Sequence, residues 1–120
     1  MILLFNKSEI LERLDNDLDF VTEIVDEALE NLLGQLNEVR ELCQGNDTDT
    51  LRRVAHTIKG VAANISTDDL RDIACRIEAA AKDEDMESAR KLLPELDRTF
   101  RLTAETIKSV LAVGAEQDAE

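Results

Sequence analysis

The segment Leu51–Asn64, LRRVAHTIKGVAAN, contains the one histidine of a 120-residue chain. If the segment is helical, Arg52 and Arg53 lie one turn before His56 and Lys59 lies one turn after it, and the segment has no acidic residue. A neutral imidazole offers a nucleophilic nitrogen at cellular pH, and lysine and arginine neutralise anionic oxygens. An anion bound at His56 would therefore meet only positive charge from its own segment.

Helical periodicity predicts that the imidazole is accessible. At about 100° of rotation per residue, the apolar side chains of the helix share one arc, which includes Ile58. His56 lies about 200° of rotation from Ile58 and therefore points away from that arc. That arc comprises Leu51, Val54, Ala55, Ile58, Val61, Ala62 and Ile65. Gly60 and Ala63 follow His56 on its own face and leave the ring almost free of side-chain bulk. Glycine at position 60 costs about 0.5 to 1 kcal/mol of helix stability relative to alanine, and access of a partner to the ring or the backbone would explain why it is there. The pattern as a whole suits reversible phosphorylation of His56.

Other interpretations of these residues stay open. A lone exposed histidine is more often an ordinary surface residue, and a basic cluster is more often a solvated face beside an acidic helix. A zinc or di-iron site is not expected, because one histidine with no carboxylate within a turn on its helix lacks companion ligands. Cys43 and Cys75 lie outside the His56 helix, so a cysteine–histidine mechanism would need tertiary proximity. No nucleotide-binding loop occurs, which argues against self-phosphorylation from ATP.

Composition points to a helical protein with protein partners. The chain has 14 Lys and Arg against 27 Asp and Glu, a net charge of -13, which disfavours nucleic-acid and anionic-membrane binding. The chain has three Phe and no Trp or Tyr, so its composition is poor in residues that favour β-strands. No apolar run of about 18 residues and no secretory segment is found, so we expect a cytoplasmic protein with reduced thiols.

Five helices are predicted from periodicity and capping signals. Ser8 is expected to cap a short lead-in helix that ends at Asp15–Asp17. The second helix runs from Leu18 to Cys43, with Cys43 continuing its apolar stripe. Capped by one of Asp47, Thr48 and Asp49, the third helix runs to about Asn64.

The remaining two helices follow without a long linker. Ser66 or Thr67 is expected to cap the fourth, which carries a stripe from Leu70 to Ala81 and leaves Cys75 off that stripe. The last run passes Pro94, where we expect a kink or a nearby helix start. The predicted fold is an all-α, antiparallel up-down-up-down four-helix bundle with a short N-terminal lead-in helix. Residues 1–113 form one domain, and residues 114–120 are expected to fray.

The segment AHTIKGVAAN resembles the histidine-containing phosphotransfer (HPt) family, whose motif is His-x-x-Lys-Gly inside a helix, often continuing through small residues to Asn. The matching positions are His56, Lys59, Gly60, Ala62, Ala63 and Asn64. The segments ILERLDND and CRIEAAAKDEDMESARKLLPEL are also similar to family patterns. Ser66 departs from the family, since many members carry Gly in this turn.

The resemblance implies a four-helix bundle in which His56 accepts a phosphoryl group from a receiver-domain aspartate and passes it to another receiver. Lys59 would support the phosphoryl group and Gly60 would give the receiver room, with Mg²⁺ supplied by the receiver and no cofactor of the chain's own. Arg52, Arg53, Ala63 and Asn64 are further candidate partner-binding residues. Receiver domains of response regulators, and a hybrid sensor histidine kinase, are the expected partners of a monomeric carrier without kinase activity.

Two other functions compete with this one. A receiver-binding adaptor without phosphotransfer would use the same face, although this chain keeps His56. An acidic bundle that mimics nucleic acid or inhibits a basic partner is suggested only by the net charge. The cognate kinase and regulator, the direction of phosphoryl flow, and whether the chain stands alone or belongs to a hybrid kinase stay open.

Overall fold

The computed structural model describes residues 4–119, with side chains described for residues 4–111. Within that range all regular secondary structure is α-helical and there is no strand, as the composition predicts. The helices are α1 (Lys7–Arg13), α2 (Leu18–Leu42), α3 (Thr48–Asn64), α4 (Asp68–Lys82), α5 (Met86–Lys91) and α6 (Leu93–Ala119).

Short polar side chains begin four of these helices. Asp17, Asp47 and Asp85 each accept a hydrogen bond from a backbone N–H in the first turn of α2, α3 and α5. Asn6 does the same for α1, so the prediction that Ser8 caps this helix is wrong. The Ser8 hydroxyl instead donates to Asn6 Oδ1, because the helix begins one residue before Ser8.

A tight turn at Ile65–Thr67 joins α3 to α4. Ser66 has a φ of 57°, in the left-handed region that favours glycine, and is 1% exposed. Its hydroxyl accepts a hydrogen bond from Arg13 Nη2 at 2.8 Å and donates one to Glu9 Oε1 at 2.7 Å. Thr67 is the N-cap of α4, although its hydroxyl donates to the Ala62 carbonyl at 2.9 Å and caps no N–H. The hydrogen bonds of Ser66 thus tie this turn to α1.

The last apolar run forms two helices, so the described chain has six helices where the sequence predicted five. Leu92 lies between α5 and α6, and Pro94 is the second residue of α6. Proline has no N–H to donate and is tolerated in a first turn, where that N–H would have no helical partner. Of the two outcomes expected at Pro94, the structure therefore shows the helix start.

Four helices enclose the core. Each of α2, α3, α4 and α6 contacts two of the others, in the order α2, α3, α4, α6 and back to α2. Their buried side chains include Leu32, Leu36, Ile58, Ile77 and Ile107. Cys43 is buried at the end of the α2 stripe, as predicted, and burial raises the pKa of its thiol despite the opposing charge of Arg90.

Two arginines fasten the bundle at helix ends. Arg90 of α5 donates to the carbonyls of Cys43 and Gly45 at 2.6 and 2.8 Å, just beyond α2. Arg13 of α1 donates to the Asn64 carbonyl at 2.7 Å, at the end of α3. Cations are favourable at helix C-termini, where carbonyls lack helical partners.

The predicted fraying of residues 114–120 stays a prediction, because Glu120 and the side chains beyond Leu111 lie outside the described residues. No helix in the described part of the chain is long and apolar enough to cross a membrane.

Candidate functional site

Helix α3 presents His56 to solvent because its other side is committed to the core. Leu51, Ala55 and Ile58 are at most 1% exposed, whereas the His56 side chain is 66% exposed. The periodicity argument placed His56 on this outer face, and the structure agrees. The imidazole is therefore within reach of a second protein.

A carboxylate from the neighbouring helix holds both chemically interesting side chains of α3. Glu78 of α4 places Oε2 2.7 Å from His56 Nδ1 and accepts a hydrogen bond from Lys59 Nζ to Oε1 at 2.6 Å. The Glu78 side chain is 17% exposed and Lys59 is 31% exposed, so this pair is shielded much better than the imidazole. One side chain of α4 thereby fixes the spacing of two side chains of α3.

The electrostatics of the cluster keep Glu78 ionised. Partial burial opposes the charged form, but hydrogen bonds from Lys59 and His56, together with the charges of both, outweigh burial and lower the pKa of Glu78. The hydrogen bond to Glu78 in turn raises the pKa of Lys59, against a smaller opposing effect of desolvation. The site thus holds a carboxylate and an ammonium group across the whole neutral range.

Ionised Glu78 determines which imidazole nitrogen is available for chemistry. A carboxylate can only accept a hydrogen bond, so the Nδ1 atom that faces it must carry the proton. In the neutral ring Nε2 then holds the lone pair. The arrangement therefore offers an exposed nucleophilic Nε2 with a lysine ammonium anchored beside the ring.

The structure does not bring the two arginines onto the ring. Arg52 and Arg53 approach Asp49 at 3.2 and 3.7 Å, as i to i+3 and i+4 pairs on the exposed start of α3. Arg52 also lines a hollow together with Lys59 and Glu78. Arg53 faces the opposite side, toward α2.

Gly60, Ala63 and Asn64 lie progressively farther along α3. A Cβ atom built on Gly60 would meet no atom within 4 Å, so internal packing does not demand glycine there. Gly60 and Ala63 line a hollow between α3 and α4. Asn64 is the last residue of the helix, and its backbone carbonyl accepts a hydrogen bond from Arg13.

Sequence reasoning missed Glu78. Considering only the helix of His56, it found positive charge alone around the ring, yet the pairing carboxylate comes from α4. A signal was present, because a three-residue turn makes adjacent helices pack along each other. Residues at similar distances before and after Ser66 should then meet, and His56 and Glu78 are 10 and 12 residues from it.

Of the two thiols, Cys75 lies beside this cluster, since it lines the same hollow as Lys59 and Glu78. Cys75, which lies off the buried stripe of α4, is exposed, and Cys43 is buried. Among the side chains of residues 4–111, no group of three histidine, cysteine or acidic residues could hold a metal ion.

Comparison with known proteins gives one match. Neither the curated proteins nor the solved structures include a significant match to this chain. A scan against protein-family models matches residues 23–108 to the Hpt domain, a span that contains α3, α4 and the whole His56, Lys59 and Glu78 cluster. Because this match covers well over half of the sequence, the chain belongs to the Hpt domain family, whose members carry phosphoryl groups on histidine in phosphorelays.

Proposed function

We propose that this protein is a phosphorelay intermediate in which His56 accepts a phosphoryl group from the aspartate of one receiver domain and passes it to another. The observation that carries the proposal is the Glu78 contact at Nδ1, which places the proton of the neutral ring there and leaves the lone pair of Nε2 on an exposed side chain.

The proposed transfer needs little from the protein beyond geometry and charge. The Nε2 lone pair attacks the phosphorus of the aspartyl phosphate, the bond between phosphorus and the aspartyl oxygen breaks, and the aspartate leaves as a carboxylate. In the return step the incoming aspartate forms a new P–O bond as the N–P bond breaks. Lys59, already beside the ring, compensates the charge of the phosphoryl oxygens.

The rest of the proposal follows from the carrier role. The proposed bundle is up-down-up-down, with α1 as a lead-in helix. This arrangement places α3 between α2 and α4 and leaves the outer side of α3 open to a partner. The receiver brings Mg²⁺, and the chain needs no cofactor and has no kinase activity of its own. A monomer in the cytoplasm that meets receiver domains, including that of a hybrid sensor kinase, fits this role.

Transfer of labelled phosphate from Mg²⁺-loaded receiver domains to the protein tests the proposal. We expect acid-labile, base-stable label on the parent protein and none on His56→Gln, with the same helical circular dichroism spectrum. A Thr57→Gln variant is the matched control, since it alters the next exposed residue of α3 and should still be labelled. Label on His56→Gln would refute the assignment. Binding of receivers without any label on the parent would favour the adaptor function.

A further inference from the structure

An open groove with an apolar floor lies between α2 and α6. Its floor is formed by Leu29, Leu33, Phe100 and Ala104. The Leu33 residue is 50% exposed, and the other three are partly exposed. Apolar side chains that stay exposed next to one another are typical of a surface that binds another protein. We call this surface the α2–α6 groove.

A row of carboxylates borders the groove along α2. Four exposed acids recur at intervals of four, three and four residues, so at about 100° per residue they lie within about 60° of one another on the helix surface. They are Asp19, Glu23, Asp26 and Glu30. Asp26 and Glu30 line the groove itself. Residues 18–39 contain no lysine or arginine, so α2 supplies no positive charge beside this row.

The row is not neutralised by other helices either. Among the side chains of residues 4–111, no cationic nitrogen lies within 4 Å of these four carboxylates. Like charges three and four residues apart on a helix repel one another. On the α6 side the groove is lined by a base, Lys108, and by no acid. Charge complementarity therefore favours a partner that places positive charge over α2.

The groove lies on the far side of the bundle from His56. Around the core the helices follow the order α2, α3, α4 and α6, so the α2–α6 side is opposite the α3–α4 side. His56 meets Glu78 on that α3–α4 side. A partner in the α2–α6 groove therefore leaves the imidazole uncovered.

We propose that the α2–α6 groove binds a cationic amphipathic helix of another protein. The apolar stripe of that helix lies on Leu29, Leu33 and Phe100, and its lysine or arginine residues lie over the carboxylate row of α2. A helix suits a narrow groove between two helices, because its stripe covers the apolar floor while its own backbone groups stay paired. The bound partner holds the protein while His56 stays free to react. This inference goes beyond the proposed function and does not depend on it.

Three synthetic peptides of equal length test the chemistry of the occupant. The first has a leucine stripe at helical spacing flanked by lysines, the second replaces the lysines with glutamates, and the third scrambles the first so that no stripe remains. We expect calorimetric titration at low salt to show at least tenfold tighter binding of the first peptide than of either other peptide. Equal binding of the first and third peptides, or of the first and second, would overturn the proposal.

Substitutions in the protein locate the peptide. Leu33→Ser should raise the Kd of the lysine peptide at least fivefold, whereas Leu102→Ser, which alters an exposed leucine on the α4 side of α6, should leave it within twofold. The double charge reversal Glu23→Lys with Glu30→Lys should raise the Kd at least tenfold, and Asp72→Lys on α4 is its control. Circular dichroism checks that each variant keeps the parent's helical spectrum. Equal effects of a variant and its control would place the peptide elsewhere and contradict the groove.

The remaining outcomes separate the groove from other occupants and from phosphotransfer. Labelling of His56 by a receiver domain should change less than twofold at a saturating concentration of the lysine peptide, and a peptide that blocks labelling would refute its binding on the far side. Self-association that Leu33→Ser abolishes in sedimentation would show that a second copy fills the groove, and would overturn the proposal. The peptide titrations decide the groove even if His56 is never labelled.

Discussion

At the scale of single residues, Glu78 connects the two halves of the site. It fixes the proton on His56 Nδ1 and anchors Lys59, although it lies on a different helix from both. The geometry of the motif thus depends on a residue outside the motif, which positions both His56 and Lys59.

Replacing this carboxylate should move the imidazole proton. We expect Glu78→Ala to lose the preference for the Nδ1–H tautomer, because no acceptor then faces that nitrogen. Imidazole ¹⁵N chemical shifts at neutral pH measure the tautomer directly. Glu105→Ala, which removes an exposed carboxylate of α6, is the control, and an unchanged His56 tautomer in Glu78→Ala would contradict the assignment of Nε2 as the nucleophile.

The stabilising effect of Glu78 should depend on pH with a defined sign. Its pKa is lowered in the folded protein, so its contribution is complete above its unfolded pKa of about 4.3 and is lost as the pH falls through the folded value. The raised pKa of Lys59 means that the lysine's contribution persists through neutral pH and is lost only as the pH rises through its folded value. The difference in unfolding free energy between parent and Glu78→Gln should therefore be constant from about pH 8 to 9, above the range in which an imidazole takes up a proton, and should shrink below about pH 4. A difference that keeps growing as the pH falls below about 4 would contradict this ion-pair arrangement.

A substitution at Gly60 should change phosphotransfer and fold stability in opposite directions. Because a Cβ would meet nothing within 4 Å, Gly60→Ala should stabilise the fold by about 0.5 to 1 kcal/mol through helix propensity while slowing phosphotransfer. Gly34 of α2 is equally open, so Gly34→Ala is the matched control. Urea unfolding should show the same gain for both variants, and transfer rates should fall only for Gly60→Ala. Equal transfer rates in the two variants would remove the functional reason for Gly60.

At the scale of elements, the α3–α4 turn stores strain and compensates for it. Ser66 occupies a left-handed conformation that costs a non-glycine residue about 1 to 2 kcal/mol, and its hydroxyl is held by Arg13 and Glu9 of α1. A residue that departs from the glycine common in the resembling family is thus used to dock another helix.

Substitutions at Ser66 should separate these two effects. Ser66→Ala keeps the strain and loses both hydrogen bonds, so we expect a loss of about 1 to 3 kcal/mol of stability. Ser66→Gly loses the same bonds but relieves the strain, and should cost less than Ser66→Ala. Denaturant unfolding at equilibrium measures both, and the reverse order would show that the left-handed conformation is not strained here.

Element boundaries show what the sequence could and could not supply. The bounds of α2 and α3 and the buried stripe of α4 followed from periodicity and caps, because long amphipathic helices constrain their own ends. The true cap of α1 was missed, since two polar residues compete as caps there. At Pro94 the sequence left a kink and a helix start both open, because the helix period runs unbroken through Leu92. Glu78 required knowing how two helices pack, which no single-helix argument contains.

At the scale of the whole molecule, the net charge of -13 implies self-repulsion among surface carboxylates. Raising NaCl from 10 to 200 mM should therefore raise the Tm, because the Debye length falls from about 30 Å to under 10 Å. Thermal unfolding followed by circular dichroism measures the change, which should shrink at pH 5 as carboxylates begin to protonate. A Tm that falls with salt would show that attractive ion pairs outweigh the repulsion.

The location of the site in the chain has a consequence for folding. His56, Lys59 and Glu78 all lie within residues 48–82, one helix–turn–helix unit of nearby contacts, whereas the Arg13 and Arg90 fastenings join residues about 50 positions apart. Local contacts close with a smaller loss of chain entropy than distant ones. His56, Lys59 and Glu78 can thus come together early in folding. Transient detachment of α1 in the native state would leave them assembled, so amide exchange in α1 can be fast without interrupting the site.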